Sequence, residues 1–93
     1  MSIFGDQYSH DRHQLHREEI RHIVSRGKTP SLTQEQELLV EKSIVKYRDE
    51  HGDGTVSMHG IHDVLVRLGE EGISKHDRHG VMRAFEEFFK EDK

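Results

Sequence analysis

Nine histidines and one acidic turn carry most of the chemical potential of this chain. The histidines recur three residues apart, as His10, His13 and His16, as His59 and His62, and as His76 and His79. Residues at that spacing share a face of a helix, so each group could chelate zinc, nickel or copper, with Asp63 or Asp77 as a third ligand. No HExxH is present, and no carboxylate–histidine spacing matches a catalytic metal site. The favoured expectation is therefore solvated histidines on polar faces, without a zinc centre. In the acidic turn, Asp49, Asp53, Thr55 and Ser57 offer side-chain oxygens around Gly52-Asp53-Gly54. Oxygen is the ligand that a hard cation such as calcium requires.

Elements must position those groups, and composition restricts which. The chain has 93 residues, 31% hydrophobic and 34% charged, enough for one domain with a small core under a highly charged surface. One proline and few β-branched runs favour helix over sheet. With no cysteine, disulfides, thiolate metal sites and a cysteine nucleophile are excluded, which fits a reducing compartment. No apolar stretch approaches the roughly 20 residues that span a bilayer. Met1–His10 is polar and lacks a signal-peptide core, so the expected location is cytoplasmic. The formal charge of −4 argues against nucleic acid as a partner, and protonating all nine histidines would carry it to +5.

Residues 1–9 are expected to be a flexible N-terminus, and 10–93 a single all-α, four-helix domain. A first helix is expected over 10–26, with Leu15, Ile20, Ile23 and Val24 as a thin apolar stripe. Gly27 can end it, and residues 28–31 read as a linker. A second helix is expected over 33–50, opened by the capping box Thr33-Gln34-Glu35-Gln36 and carrying Val40, Ile44 and Tyr47 at helical spacing. A third is expected over 58–69, with Ser57 as N-cap, Ile61, Val64, Leu65 and Leu68 inward, and Gly69 as stop. Ser74 caps a fourth over 74–90, with Val81, Met82, Phe85, Phe88 and Phe89 near one side. The expected core includes Val40, Ile44, Tyr47, Ile61, Leu65, Leu68, Val81 and Phe85.

Residues 32–69 resemble the first EF-hand of the calmodulin and myosin-light-chain family. Leu32-Thr33-Gln34-Glu35-Gln36 is similar to that family's opening cap. Val40, Ile44 and Tyr47 fall where it places core residues, and Gly52-Asp53-Gly54-Thr55-Val56-Ser57 resembles the middle of its calcium loop. Ile61, Val64, Leu65, Leu68 and Gly69 follow at its spacing. The resemblance implies an EF-hand-like helix-loop-helix whose loop supplies ligands from positions 1, 3, 5, 7, 9 and 12, with glycine at 6. With Gly54 at position 6, Asp49 is at 1, His51 at 3, Asp53 at 5, Thr55 at 7, Ser57 at 9 and Gly60 at 12. His51 offers nitrogen where a hard cation wants oxygen, and Gly60 offers nothing where a bidentate carboxylate belongs. Arg48 also intervenes between Tyr47 and Asp49, lengthening the first half of the loop by one residue. The expectation is a degenerate loop with weak or absent calcium binding. Gly52-Asp53-Gly54 can equally be a plain polar turn, which would leave the helical hairpin intact.

The resemblance implies a non-catalytic interaction or regulatory module without a cofactor. EF-hands pair through position 8, here Val56. The expected contact residues are Val56, Phe88 and Phe89. The partner is the N-terminal helix, a second copy of the chain as a homodimer, or an amphipathic helix of a target protein. One alternative is a helix-turn-helix DNA-binding regulator, in which Leu68-Gly69 and Gly72-Ile73-Ser74 precede a helix bearing Lys75, Arg78 and Arg83. Another is a small acidic inhibitor that blocks a larger protein.

Overall fold

Val40, Ile44, Ile61, Leu65, Val81 and Phe85 are completely enclosed, and the elements that carry them are helices. The computed structural model describes residues 8–26 and 32–91. Residues 1–7 of the expected flexible terminus, Gly27 as helix stop and the 28–31 linker lie outside the described residues. The elements run β1 (His13–Gln14), α1 (Arg17–Arg26), α2 (Gln34–His51), β2 (Thr55–Val56), α3 (Met58–Leu68), a short 3-10 turn (Gly69–Glu71) and α4 (Lys75–Glu91). The domain is all-α with four helices and one minimal two-stranded pairing among the described residues.

The caps explain why the helices begin where they do. Thr33 Oγ1 accepts from Gln36 N at 3.1 Å while Gln36 Oε1 accepts from Thr33 N at 3.0 Å, a reciprocal capping box. Ser57 Oγ accepts from Gly60 N at 3.0 Å to open α3, and Ser74 Oγ accepts from Asp77 N at 3.1 Å to open α4. Helix α2 ends at Gly52, whose φ of 88° suits a residue without Cβ.

Two expectations need correction. The first helix does not begin at residue 10. Residues 13–14 are extended and pair antiparallel with β2, His13 opposite Val56 and Gln14 opposite Thr55. Leu15 N then donates to Gly54 O at 3.1 Å, and the Leu15 side chain is fully buried. As a helix, residues 10–14 would add no apolar face to the core, and histidine and aspartate are weak helix formers. Helix α1 starts only where Glu19 Oε1 reaches back to His16 N at 2.8 Å and His16 O accepts from Ile20 N. The second correction concerns how α3 stops: Gly69 is its C-cap, as expected, but is right-handed at φ −57° and starts the 3-10 turn. The left-handed stop is Gly72, at φ 97°.

The four helices close a ring. Helices α1 and α3 each pack against both α2 and α4. Inside it, Leu15, Ile20, Ile23 and Val24 meet Val40, Ile44, Ile61, Leu65, Val81 and Phe85. Full burial of each large apolar side chain contributes about 1.5–3 kcal/mol. Val56, Ile73, Met58 and Leu32 join this core, while Tyr47 is only partly buried against it. No described helix is long and apolar enough to cross a membrane.

Candidate functional site

The loop between α2 and α3 and the extended segment beside it hold most of the described polar side-chain contacts away from the other helix ends. Asp53 Oδ1 accepts from Thr55 N at 3.0 Å and from Thr55 Oγ1 at 2.6 Å. This local turn bends the chain through Gly54, whose φ is 74°. Asp53 therefore folds toward its own loop. Asp49, in the last turn of α2, meets Arg17 Nη2 at 2.9 Å and Arg48 Nη1 at 2.7 Å. Thr55 accepts from Arg12 twice, Nε to Oγ1 at 3.0 Å and Nη2 to the carbonyl at 2.8 Å. Ser57 is buried, and its hydroxyl serves as the α3 cap.

Arg48 is the central group. Its Nε donates to Leu15 O and its Nη1 to Asp49, and a Cβ built on Gly54 would lie 3.3 Å from its Nη2. The side chain is only 19% exposed. The guanidinium thus lies under the loop and ties it to the β1 segment. Arg48, in the last turn of α2, supplies the positive charge beside the loop. Because a guanidinium is planar with donors in a fixed fork, it can serve a carbonyl and a carboxylate together.

Gly60 has an equally specific setting. A Cβ there would fall 1.8 Å from Tyr47 Oη and 2.3 Å from Tyr47 Cζ. The phenol fills the space in which a side chain at residue 60 would begin. Its oxygen accepts from Ser57 N at 3.3 Å and from Arg12 Nη1 at 3.1 Å, and it lies 3.4 Å from Ser57 Oγ. Arg12 also sits over the Tyr47 ring, 5.9 Å from its centroid.

Of the four expected oxygen ligands, Asp49 turns to arginines, Asp53 to its own loop, Thr55 to Asp53 and Arg12, and Ser57 to a helix end. No group of three or more His, Asp or Glu suited to a metal ion occurs among the described residues. His10, His13 and His16 precede α1, so the shared helical face expected of them does not exist. His59 stacks on His10 at 4.1 Å and lies 3.7 Å from Asp63. His76 and His79 are exposed, while Asp77 between them is buried.

Val56, expected at a partner interface, is fully buried and paired within the chain. The extended 13–14 segment covers the edge at Val56, from the N-terminal part of the chain that was one of the three expected partners but as a strand rather than a helix. Phe88 and Phe89 are half-buried, and Phe89 stacks on His13 with ring centroids 4.2 Å apart and planes 12° apart. Arg12, Arg17 and Arg48 escaped the sequence reading as site residues. Their only linear signal is a cation directly after Tyr47 and two cations flanking Leu15. No family model, curated protein or solved structure matches the chain.

Proposed function

We propose that this protein is a non-catalytic, calcium-independent interaction module of the EF-hand type, acting on a protein partner in the cytoplasm. The observation that carries the reading is the antiparallel pairing of β1 with β2 at Val56. Position 8 of an EF-hand-like loop is where such pairing to a second loop is expected. Helix α4, whose Phe89 stacks on His13, followed in space by β1 and α1, supplies a second helix-loop-helix opposite α2–β2–α3. The ring of helix contacts, α1 to α2 to α3 to α4 and back to α1, is the order this requires.

Arg48 takes the role of the cation in this reading. A calcium ion binds neighbouring oxygens to one another, and here Arg48 joins Leu15 O to Asp49 while Arg12 holds Thr55. The half-buried Phe88 and Phe89 at the end of α4 form the partner-facing edge, and the formal charge of −4 favours a basic amphipathic helix as ligand. Weighing against the DNA-binding alternative, Arg78 donates to Ile73 O at 2.8 Å and its guanidinium lies where a Gly69 side chain would stand. That cation is committed to the turn.

The test is titration of the chain with a synthetic Leu/Lys amphipathic helix, once with calcium and once with EDTA. Saturable binding that is equal in both and weakened by Phe88→Ala and Phe89→Ala is expected. Calcium-dependent binding, or none, would overturn the proposal. Salt-dependent binding to duplex DNA would return the helix-turn-helix alternative.

A further inference from the structure

The residues just before β1 form a separate contact with α3. Ser9 O accepts from His59 N at 3.0 Å, satisfying one of the orphan N–H groups of the first turn of α3. The Tyr8 ring lies on His62 with centroids 4.9 Å apart, and His10 stacks on His59. This short stretch neither crosses the core nor pairs with β2. It is held by one backbone hydrogen bond, two ring contacts and the packing of the half-buried Tyr8 against the edge of the core.

His62 is the point at which this arrangement is sensitive. Its Nδ1 is enclosed and has no hydrogen-bond partner among the described residues. A protonated imidazole carries N–H on both nitrogens, so the cation would place a donor there without an acceptor. Burial holds the His62 imidazole below its ordinary value of 6.5. Asp63 opposes that effect, and His59, His79 and Arg78 add to it. The groups facing the ring are thus Tyr8 from the N-terminal segment, His59 and Asp63 from α3, and Arg78 and His79 from α4. The single carboxylate, Asp63, is 54% exposed and lies beside His59.

We infer that Tyr8–His10 is a clasp on α3 that opens when His62 takes up a proton. The imidazolium moves its Nδ1 out to water, away from Arg78 and His79, and the Tyr8 ring loses its platform. Ser9 O then leaves the His59 N–H, while the β1–β2 pairing and Leu15 stay in place. The sign follows from linkage. The closed form binds the proton less readily than the open one, so the clasp is held most firmly above the ordinary histidine value. It loosens as pH falls below that value toward the lower value of the closed form. The inference is independent of any partner or calcium loop, because it concerns only the chain's own N-terminal contact.

Amide hydrogen exchange and histidine ring NMR on the full chain from pH 7.5 to 5 test it. Protection factors are corrected for intrinsic exchange at each pH. The His59 amide should lose protection as pH falls, in step with titration of the His62 ring, while the Leu15 and Leu65 amides keep theirs. In His62→Phe, which preserves an aromatic platform without a titrating group, His59 should stay protected throughout. Three results would overturn the clasp: constant protection of His59 in the wild type, loss of protection at His59 and Leu65 together, or an equal loss in His62→Phe.

Discussion

Gly60→Ala separates a tightly fitted loop from a generic helical turn. In an ordinary helix this change stabilises, because alanine exceeds glycine in helix propensity by about 1 kcal/mol. Here the new Cβ would stand 1.8 Å from Tyr47 Oη and 2.9 Å from Tyr47 Cε1, so the ring must swing away. Overpacking of this kind costs about 1–3 kcal/mol. Displacing the phenol also breaks its bonds to Ser57 N and Arg12 Nη1, at about 0.5–1.5 kcal/mol each. Set against the propensity gain, the net expectation is a loss of about 1–5 kcal/mol. Urea unfolding followed by circular dichroism measures it, with a fall in Tm of about 4–8 °C per kcal/mol for a domain of this size. The decisive comparison is the same change in a Tyr47→Ala background. With the ring gone, Gly60→Ala should become neutral or stabilising by up to about 1 kcal/mol, so the two substitutions are strongly coupled. If Gly60→Ala stabilises the wild-type chain, Tyr47 does not occupy the space beside Gly60 and the account of the loop fails.

Arg48→Ala should cost about 1–3 kcal/mol through the unpaired Leu15 carbonyl and the loss of one of the two arginines on Asp49, and Arg48→Lys should recover little of it, because an ammonium lacks the planar fork. Full rescue by lysine in urea unfolding would show that only the charge matters. Millimolar calcium should leave the Tm and the Gly54 amide shift unchanged; saturation at micromolar calcium would show that Arg48 can be displaced. Leu65→Ala should cost about 2–5 kcal/mol, since Leu65 is fully enclosed, and a loss under 1 kcal/mol in the same assay would contradict its place in the core. Affinity for the basic Leu/Lys helix should fall from pH 8 to 5.5 at fixed ionic strength, as the nine histidines move the formal charge from −4 toward +5. A flat profile would remove electrostatic attraction from the proposed contact.

The helices were legible because their signals are local. Thr33 with Gln36, Ser57 and Ser74 mark starts through bonds that span three residues, and Val40–Ile44 and Ile61–Leu65–Leu68 mark inner faces by spacing alone. The oxygen-bearing loop residues could also be named from the linear pattern. Their use could not. Whether Asp49 meets a cation or an arginine depends on Arg17, distant in the chain, and on which way Arg48 turns. Periodicity put residues 10–16 on a helix because Leu15 is apolar and histidines recur every third position. The chain instead extends there, because the unpaired edge at Thr55–Val56 offers backbone hydrogen bonds and a buried place for Leu15 that a longer helix would forgo. Local sequence thus determined helices α2, α3 and α4 with their caps, the body of α1 and most of the core. Tertiary structure decided what covers Val56, what fills the space beside Gly60, and which charge sits under the loop, since each depends on residues brought together only when the ring of helices closes.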